Sequence, residues 1–218
     1  MKHKKKIIAG VAALALAIGI SSVLSGASTA GGEAKEENSA GTQSLTVLSA
    51  SANVPSGVWY EDAALWCEDQ EIFTADSFSP DAVMTRGAVA EALYRSQGSP
   101  DAGGAAFPDI SANSQYAKAA AWMAENGIMS GYTDGRFGAD DPVTREQMAA
   151  VFWRYAGSPP AAAGEDFADE HEIAAFAQSA VDWARSNGVI NGKPENRFDP
   201  KGWLTQAQTA VILHRCLW

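Results

Sequence analysis

The 218-residue chain has only two cysteines, three histidines and a shortage of positive charge. Each scarcity removes a class of function. Cys67 and Cys216 lie far apart and show no metal-ligand spacing, so no cysteine-held metal is expected. His3, His171 and His214 fall in no nucleophile motif, and no cofactor is expected either. Sixteen Lys and Arg against 26 Asp and Glu leave a formal net charge of −10. Such a chain avoids nucleic acid and anionic surfaces unless a local basic site overrides the general field. Signals for β structure are also sparse, and the expected fold class is all-α.

One apolar run is long. Lys2, Lys4, Lys5 and Lys6 precede an apolar stretch from Ile7 to about Leu24, and small residues Ser28 and Ala30 stand just before Gly31. This is the pattern of a secretory signal peptide over residues 1–30, with cleavage after Ala30; an uncleaved membrane anchor is the alternative, because the run is nearly long enough to span. No cysteine stands directly behind the run, which excludes a lipid-anchored cysteine there. Cleavage would remove four lysines and no acid, taking the charge from −10 to −14. Residues 31–53 are small and polar, too poor in large apolar groups to order themselves, and read as a tether.

The remainder repeats itself. Three segments align on Trp66, Trp122 and Trp183, on Phe78, Phe137 and Phe198, on Thr85, Thr144 and Thr205, and on Arg95, Arg154 and Arg215. The copies run over 54–98, 105–157 and 165–218, joined by Gly/Pro/Ala-rich linkers, and the first is degenerate. Within each copy the pattern is helix, turn-rich loop, helix. Tyr60, Ala63, Ala64 and Cys67 form one stripe, matched by Tyr116, Ala119, Ala120 and Met123, then by Ala177, Ala180, Val181 and Ala184. Asn126-Gly127 and Asn187-Gly188 are stop signals for the first helices. Thr144 with Gln147 three residues on is a capping box that starts the second helix. Arg145 then sits in the first helical turn, where the macrodipole is positive and a cation is disfavoured.

The run YAKAAAWMAENGIMSGYTDGRF, the motif TREQMAAVFWRYAG, and the openings Phe107-Pro108-Asp109 and Phe167-Ala168-Asp169 resemble the S-layer homology (SLH) repeat, in three copies over residues 58–218. The resemblance implies three helix-loop-helix repeats in a pseudo-threefold helical unit with ligand grooves between neighbours. It further implies non-covalent binding of secondary cell-wall polysaccharide, often pyruvylated, anchoring to the bacterial envelope, and a secreted protein associated with the cell wall or S-layer. No membrane contact is expected after cleavage of the signal.

The odd arginine then has a chemical reading. Free N–H groups at a helix start, with a guanidinium added, suit a carboxylate such as a ketal-linked pyruvate, and the family's Thr-Arg motif is associated with that ligand. Arg145 and Thr144 are expected at the principal site, and Arg86 at a secondary one. The alternative is a solvated Arg145 paired with Asp140 or Asp141. Gln206 replaces the arginine in the third copy, which keeps a hydrogen-bonding amide and loses the charge. Gly131 and Gly135 permit a left-handed loop, and Tyr132 reads either as a stacking surface for a sugar or as a plug beneath the turn. Asp109 and Asp169 are candidate ligand contacts, with a cap or turn role as the preferred alternative. The tryptophans read as core.

Binding without catalysis is the leading reading, and the alternatives are a glycan hydrolase using paired carboxylates or a protein-binding scaffold. Closure of three copies would bring copy one against copy three, where Cys67 and Cys216 either form a disulfide or pack as separate core thiols.

Overall fold

Six α-helices form where the apolar stripes fall: α1 Glu61–Asp69, α2 Arg86–Ser96, α3 Ala117–Glu125, α4 Arg145–Tyr155, α5 Gln178–Ser186 and α6 Gln206–Leu217. They belong to a computed structural model that describes residues 54–103, 107–162 and 164–218. The expected signal peptide (1–30) and tether (31–53) lie outside the described residues. The fold is all-α. Among the described residues the only β pairing is a few isolated bridges.

The short helices α1, α3 and α5 bury small residues, Ala63 and Ala64, Ala119 and Ala120, and Ala180 and Ala184, which let a neighbouring helix approach closely. Asn126 and Asn187 end α3 and α5, and Gly127 and Gly188 follow in the left-handed region at φ 66°. Copy one has Glu71 at the equivalent position, with φ 55°. A side chain there costs on the order of 1 kcal/mol that glycine avoids.

The longer helices α2, α4 and α6 start at Thr85, Thr144 and Thr205, whose hydroxyls accept the backbone N–H three residues on. Gln147 and Gln208 complete the capping box, each returning its Oε1 to the threonine N–H at 3.1 Å. Ala88 leaves α2 with half of it.

Helices pair across copies: α2 packs on α3, α4 on α5, and α6 on α1. The chain therefore closes on itself, and copy one meets copy three as expected. A small backbone ring pins the closure. Met84 N–H donates to Leu204 O at 2.8 Å, Leu204 N–H to Val143 O at 3.3 Å, and Val143 N–H to Met84 O at 2.9 Å. The three side chains at this ring are buried. Phe137, Phe152, Phe198, Met123 and Met148 fill the core around it, and Trp122 and Trp183 are buried as expected while Trp66 packs partly buried against the same core.

Candidate functional site

Each second helix enters the loop of another copy. The backbone N–H of Arg86 and Gly87 donate to Asp141 O and Ala139 O, those of Arg145 and Glu146 to Gly202 O and Pro200 O, and those of Gln206 and Ala207 to Ala82 O and Pro80 O. The expectation of free N–H groups at these helix starts is thus corrected. The first-turn donors are already used in joining the copies.

The first-turn side chains follow the same route. Arg86 Nε donates to Phe137 O at 2.9 Å. Arg145 Nε donates to Phe198 O at 2.7 Å and its Nη2 to Asn191 O at 2.9 Å. Gln206 Oε1 accepts from Ser79 N–H at 2.6 Å. Arg145 is therefore not a solvated partner of Asp140 or Asp141: it is 6% exposed, with no carboxylate oxygen within 4.0 Å among the described residues. Burial is the main influence on both guanidiniums and lowers their pKa, offset by the fields of nearby groups, Tyr132, Asp141 and Asp109 for Arg86, and Asp199 and Asp169 for Arg145.

The loop with the full glycine and tyrosine pattern, Gly131 to Gly138, consequently faces Arg86 of copy one and not Arg145 of its own copy. Gly131 and Gly135 adopt φ 81° and 87°, and a Cβ at Gly131 would stand 2.7 Å from Arg136 O. This turn presents Tyr132 to Arg86, whose guanidinium carbon lies 4.5 Å from the ring centre. In the third copy Lys193 occupies the place of Tyr132, pairing with Asp199, and Arg145 keeps only the phenylalanine contact, at 5.0 Å from Phe198, that Arg86 also makes with Phe137 at 5.4 Å. Copy one has no glycine turn here, and a 3₁₀ turn over Ala75–Ser77 takes its place.

Asp109 and Asp169 clamp these loops. Asp109 accepts from Phe137 N–H at 2.8 Å and Gly138 N–H at 2.7 Å; Asp169 accepts from Phe198 N–H at 2.7 Å and Asp199 N–H at 2.8 Å. Burial alone would raise both carboxyls, but the N–H donors together outweigh it and hold them below the usual range.

Arg86 opens onto a cavity of about 230 Å³. It is lined by Met129 to Tyr132, by Gln147, Ala150, Val151 and Arg154 of α4, and by Phe176 of copy three. Arg86, Gly131 and Tyr132 are thus brought together; Arg145, Gln206 and Asp169 stand at the other two junctions, and Thr144 is used in capping. Phe176 and Glu146 were not singled out in the sequence, and Arg154 only as an anchor of the repeat. Glu146 is 4% exposed and joins copies two and three, accepting from Ala174 N–H at 2.9 Å and pairing with Lys201. Its only sequence signal is an acid in the first turn, which is ordinary.

Cys67 and Cys216 are free and buried, in the packed helices α1 and α6. Of the two readings left open, separate core thiols is the arrangement present.

Helix pairs that complete one another's loops, with a cationic groove at one junction, define an all-α repeat module. Residues 106–149 and 166–210 match the S-layer homology domain family. The chain carries an S-layer homology domain with two recognised repeats, and such repeats are anchoring modules associated with the cell wall or S-layer. It is 31% identical over 158 residues to an endoglucanase of Bacillus sp. (strain KSM-635), covering 69% of this chain and 17% of that protein. It is 28% identical over 114 residues to the surface-layer 125 kDa protein of Lysinibacillus sphaericus, covering 51% and 10%. A third similarity, 31% over 93 residues, is to cell surface glycoprotein 1 of Acetivibrio thermocellus, covering 39% and 4%. The chain spans less than a fifth of each of these relatives. Among the described residues no helix is long and apolar enough to cross a membrane.

Proposed function

We propose that the chain attaches non-covalently to the bacterial envelope by binding secondary wall polysaccharide, and that copy one is a third, degenerate repeat completing the unit. The observation that carries the reading is Arg86, 7% exposed, without a carboxylate within 4.0 Å among the described residues, on the wall of a cavity that also holds Tyr132 and Gly131. A buried cation with unspent N–H groups favours an anionic guest, and a pyruvate ketal on a sugar supplies a planar carboxylate that matches the fork. The Tyr132 ring fixes the guanidinium from one side. Arg145, with two carbonyls on its guanidinium, has less left to offer, which favours Arg86 as the main contact and leaves Arg145 and Gln206 as lesser ones. The relatives named as surface proteins support the same reading.

The test is sedimentation of the chain with Gram-positive walls before and after removal of pyruvyl groups. Binding to native walls that drops when the ketals are removed is expected. Equal binding to both would overturn the ligand assignment.

A further inference from the structure

The groove beside Arg86 holds a second guanidinium. Gln147, Ala150, Val151 and Arg154 recur at helical spacing and present one face of α4 to the cavity. Arg154 makes one hydrogen bond among the described residues, from Nη1 to Ile128 O at 3.3 Å, and has no carboxylate within 4.0 Å. Arg86 likewise makes one hydrogen bond, through Nε. Two cations with unspent donors therefore line one small space in a chain whose net charge is strongly negative.

In copy one an acid quenches the equivalent cation, whereas copies two and three have Ala150 and Val211 in its place. Arg95, at the position of Arg154, pairs with Glu91 at 2.6 Å. Copy two has Ala150 where copy one has Glu91. The exchange removes the internal acid and leaves the space it would occupy as part of the cavity. The groove is also lined by Phe176, a large apolar ring that is 51% exposed. Leaving that ring in water costs free energy that covering it would recover.

Resting on the polysaccharide reading, we infer that Arg154 is a second anion contact and Phe176 a stacking platform, so that an acid-substituted sugar is held by copies one, two and three together. The acid group meets the N–H donors of Arg86 and Arg154, and the apolar face of the sugar ring covers Phe176.

The experiment is isothermal titration of the full chain with purified secondary wall polysaccharide, native and depyruvylated, with a thermal melt of every variant. Arg154→Gln is expected to weaken binding of the native polymer by roughly tenfold, the loss of a charge-assisted hydrogen bond. Phe176→Ala is expected to weaken it severalfold. Ala150→Glu, which restores the copy-one ion pair, is expected to mimic Arg154→Gln. Arg95→Gln serves as the control and is expected to bind like the wild type. Arg154→Gln, Ala150→Glu and Phe176→Ala all binding like the wild type, with Arg86→Ala still defective, would overturn this inference and leave the polysaccharide reading standing. Failure of the wild-type chain to bind either polymer would overturn both.

Discussion

The Arg86 guanidinium carbon lies 4.5 Å from the centre of the Tyr132 ring, although the two residues belong to successive copies. The cationic site is therefore a property of the junction and does not exist in an isolated repeat. Arg86→Ala is expected to weaken wall binding by about 1.5–3 kcal/mol, the range for hydrogen bonds to charged groups. Arg86→Lys should recover only part, since an ammonium lacks the planar fork. Arg86→Ala also takes a donor from Phe137 O, but Arg145→Ala removes two such donors and should weigh more on stability. The latter strips donors from Phe198 O and Asn191 O, and each carbonyl left unsatisfied costs about 1–3 kcal/mol. Melting curves beside sedimentation separate the two, and a reversed pattern would reassign the site to the Arg145 junction.

Asp169 should contribute to acid stability. Its carboxylate is 1% exposed and accepts two loop N–H groups. Burial pushes its pKa up, but the donors and Arg197 outweigh that and hold it below the ordinary value. A depressed carboxyl contributes stability that is present above its unfolded pKa, about 3.9, and is lost as the pH falls through the lower folded value. Urea midpoints measured downward from pH 6 should fall most steeply below about pH 4. In Asp169→Asn the acid limb should flatten and the midpoint at pH 6 drop.

The helix starts at Thr144 and Thr205 were legible because Gln147 and Gln208 complete a capping box that local chemistry alone dictates. The Asn-Gly stops and the alanine stripes were legible for the same reason. The assignment of loop to arginine was not. Arg145 and Tyr132 lie close in sequence and invite a shared site, yet closure through Met84, Val143 and Leu204 sends each second helix into another copy's loop. Pairing of that kind depends on how three units pack, which periodicity within one unit does not encode. Phe176 was hidden likewise, since only α4 packing on α5 carries it to the groove of copy two.

Glu146 is expected to hold copies two and three together. Glu146→Ala leaves Ala174 N–H without its acceptor and frees Lys201, whose side chain is 57% exposed and returns to water at little cost. The loss should be about 1–3 kcal/mol, mostly from the unsatisfied N–H. Glu146→Gln should recover much of it because the amide oxygen still accepts. Chemical denaturation of the two variants measures the difference, and equal losses would put the stabilisation in the charge.

The thiols should be silent in the folded state. Burial pushes Cys67 up to about 12, and it pushes Cys216 higher despite the opposing field of Arg215. Neither is a thiolate near neutral pH, and the thiolate is the reactive form. A thiol reagent at pH 8 should label neither cysteine in native buffer and both in denaturant without reductant. Labelling of neither in denaturant, with both appearing after reduction, would reveal a bond between them.

Salt offers a final discrimination, because two electrostatic effects oppose each other. The chain carries a formal charge of −10, and an acid-bearing polysaccharide is repelled at long range. At short range Arg86, 7% exposed, favours the same polymer. The Debye length is about 8 Å at physiological ionic strength, so added salt screens the distant repulsion before it reaches contacts made inside the groove. Affinity measured from about 0.05 to 0.3 M salt should therefore stay level or rise slightly. A steep fall would mean that many exposed cations release counterions on binding, as in polyanion recognition by a basic face. That outcome would move the binding surface away from the groove, since one or two guanidiniums within it cannot generate such a slope.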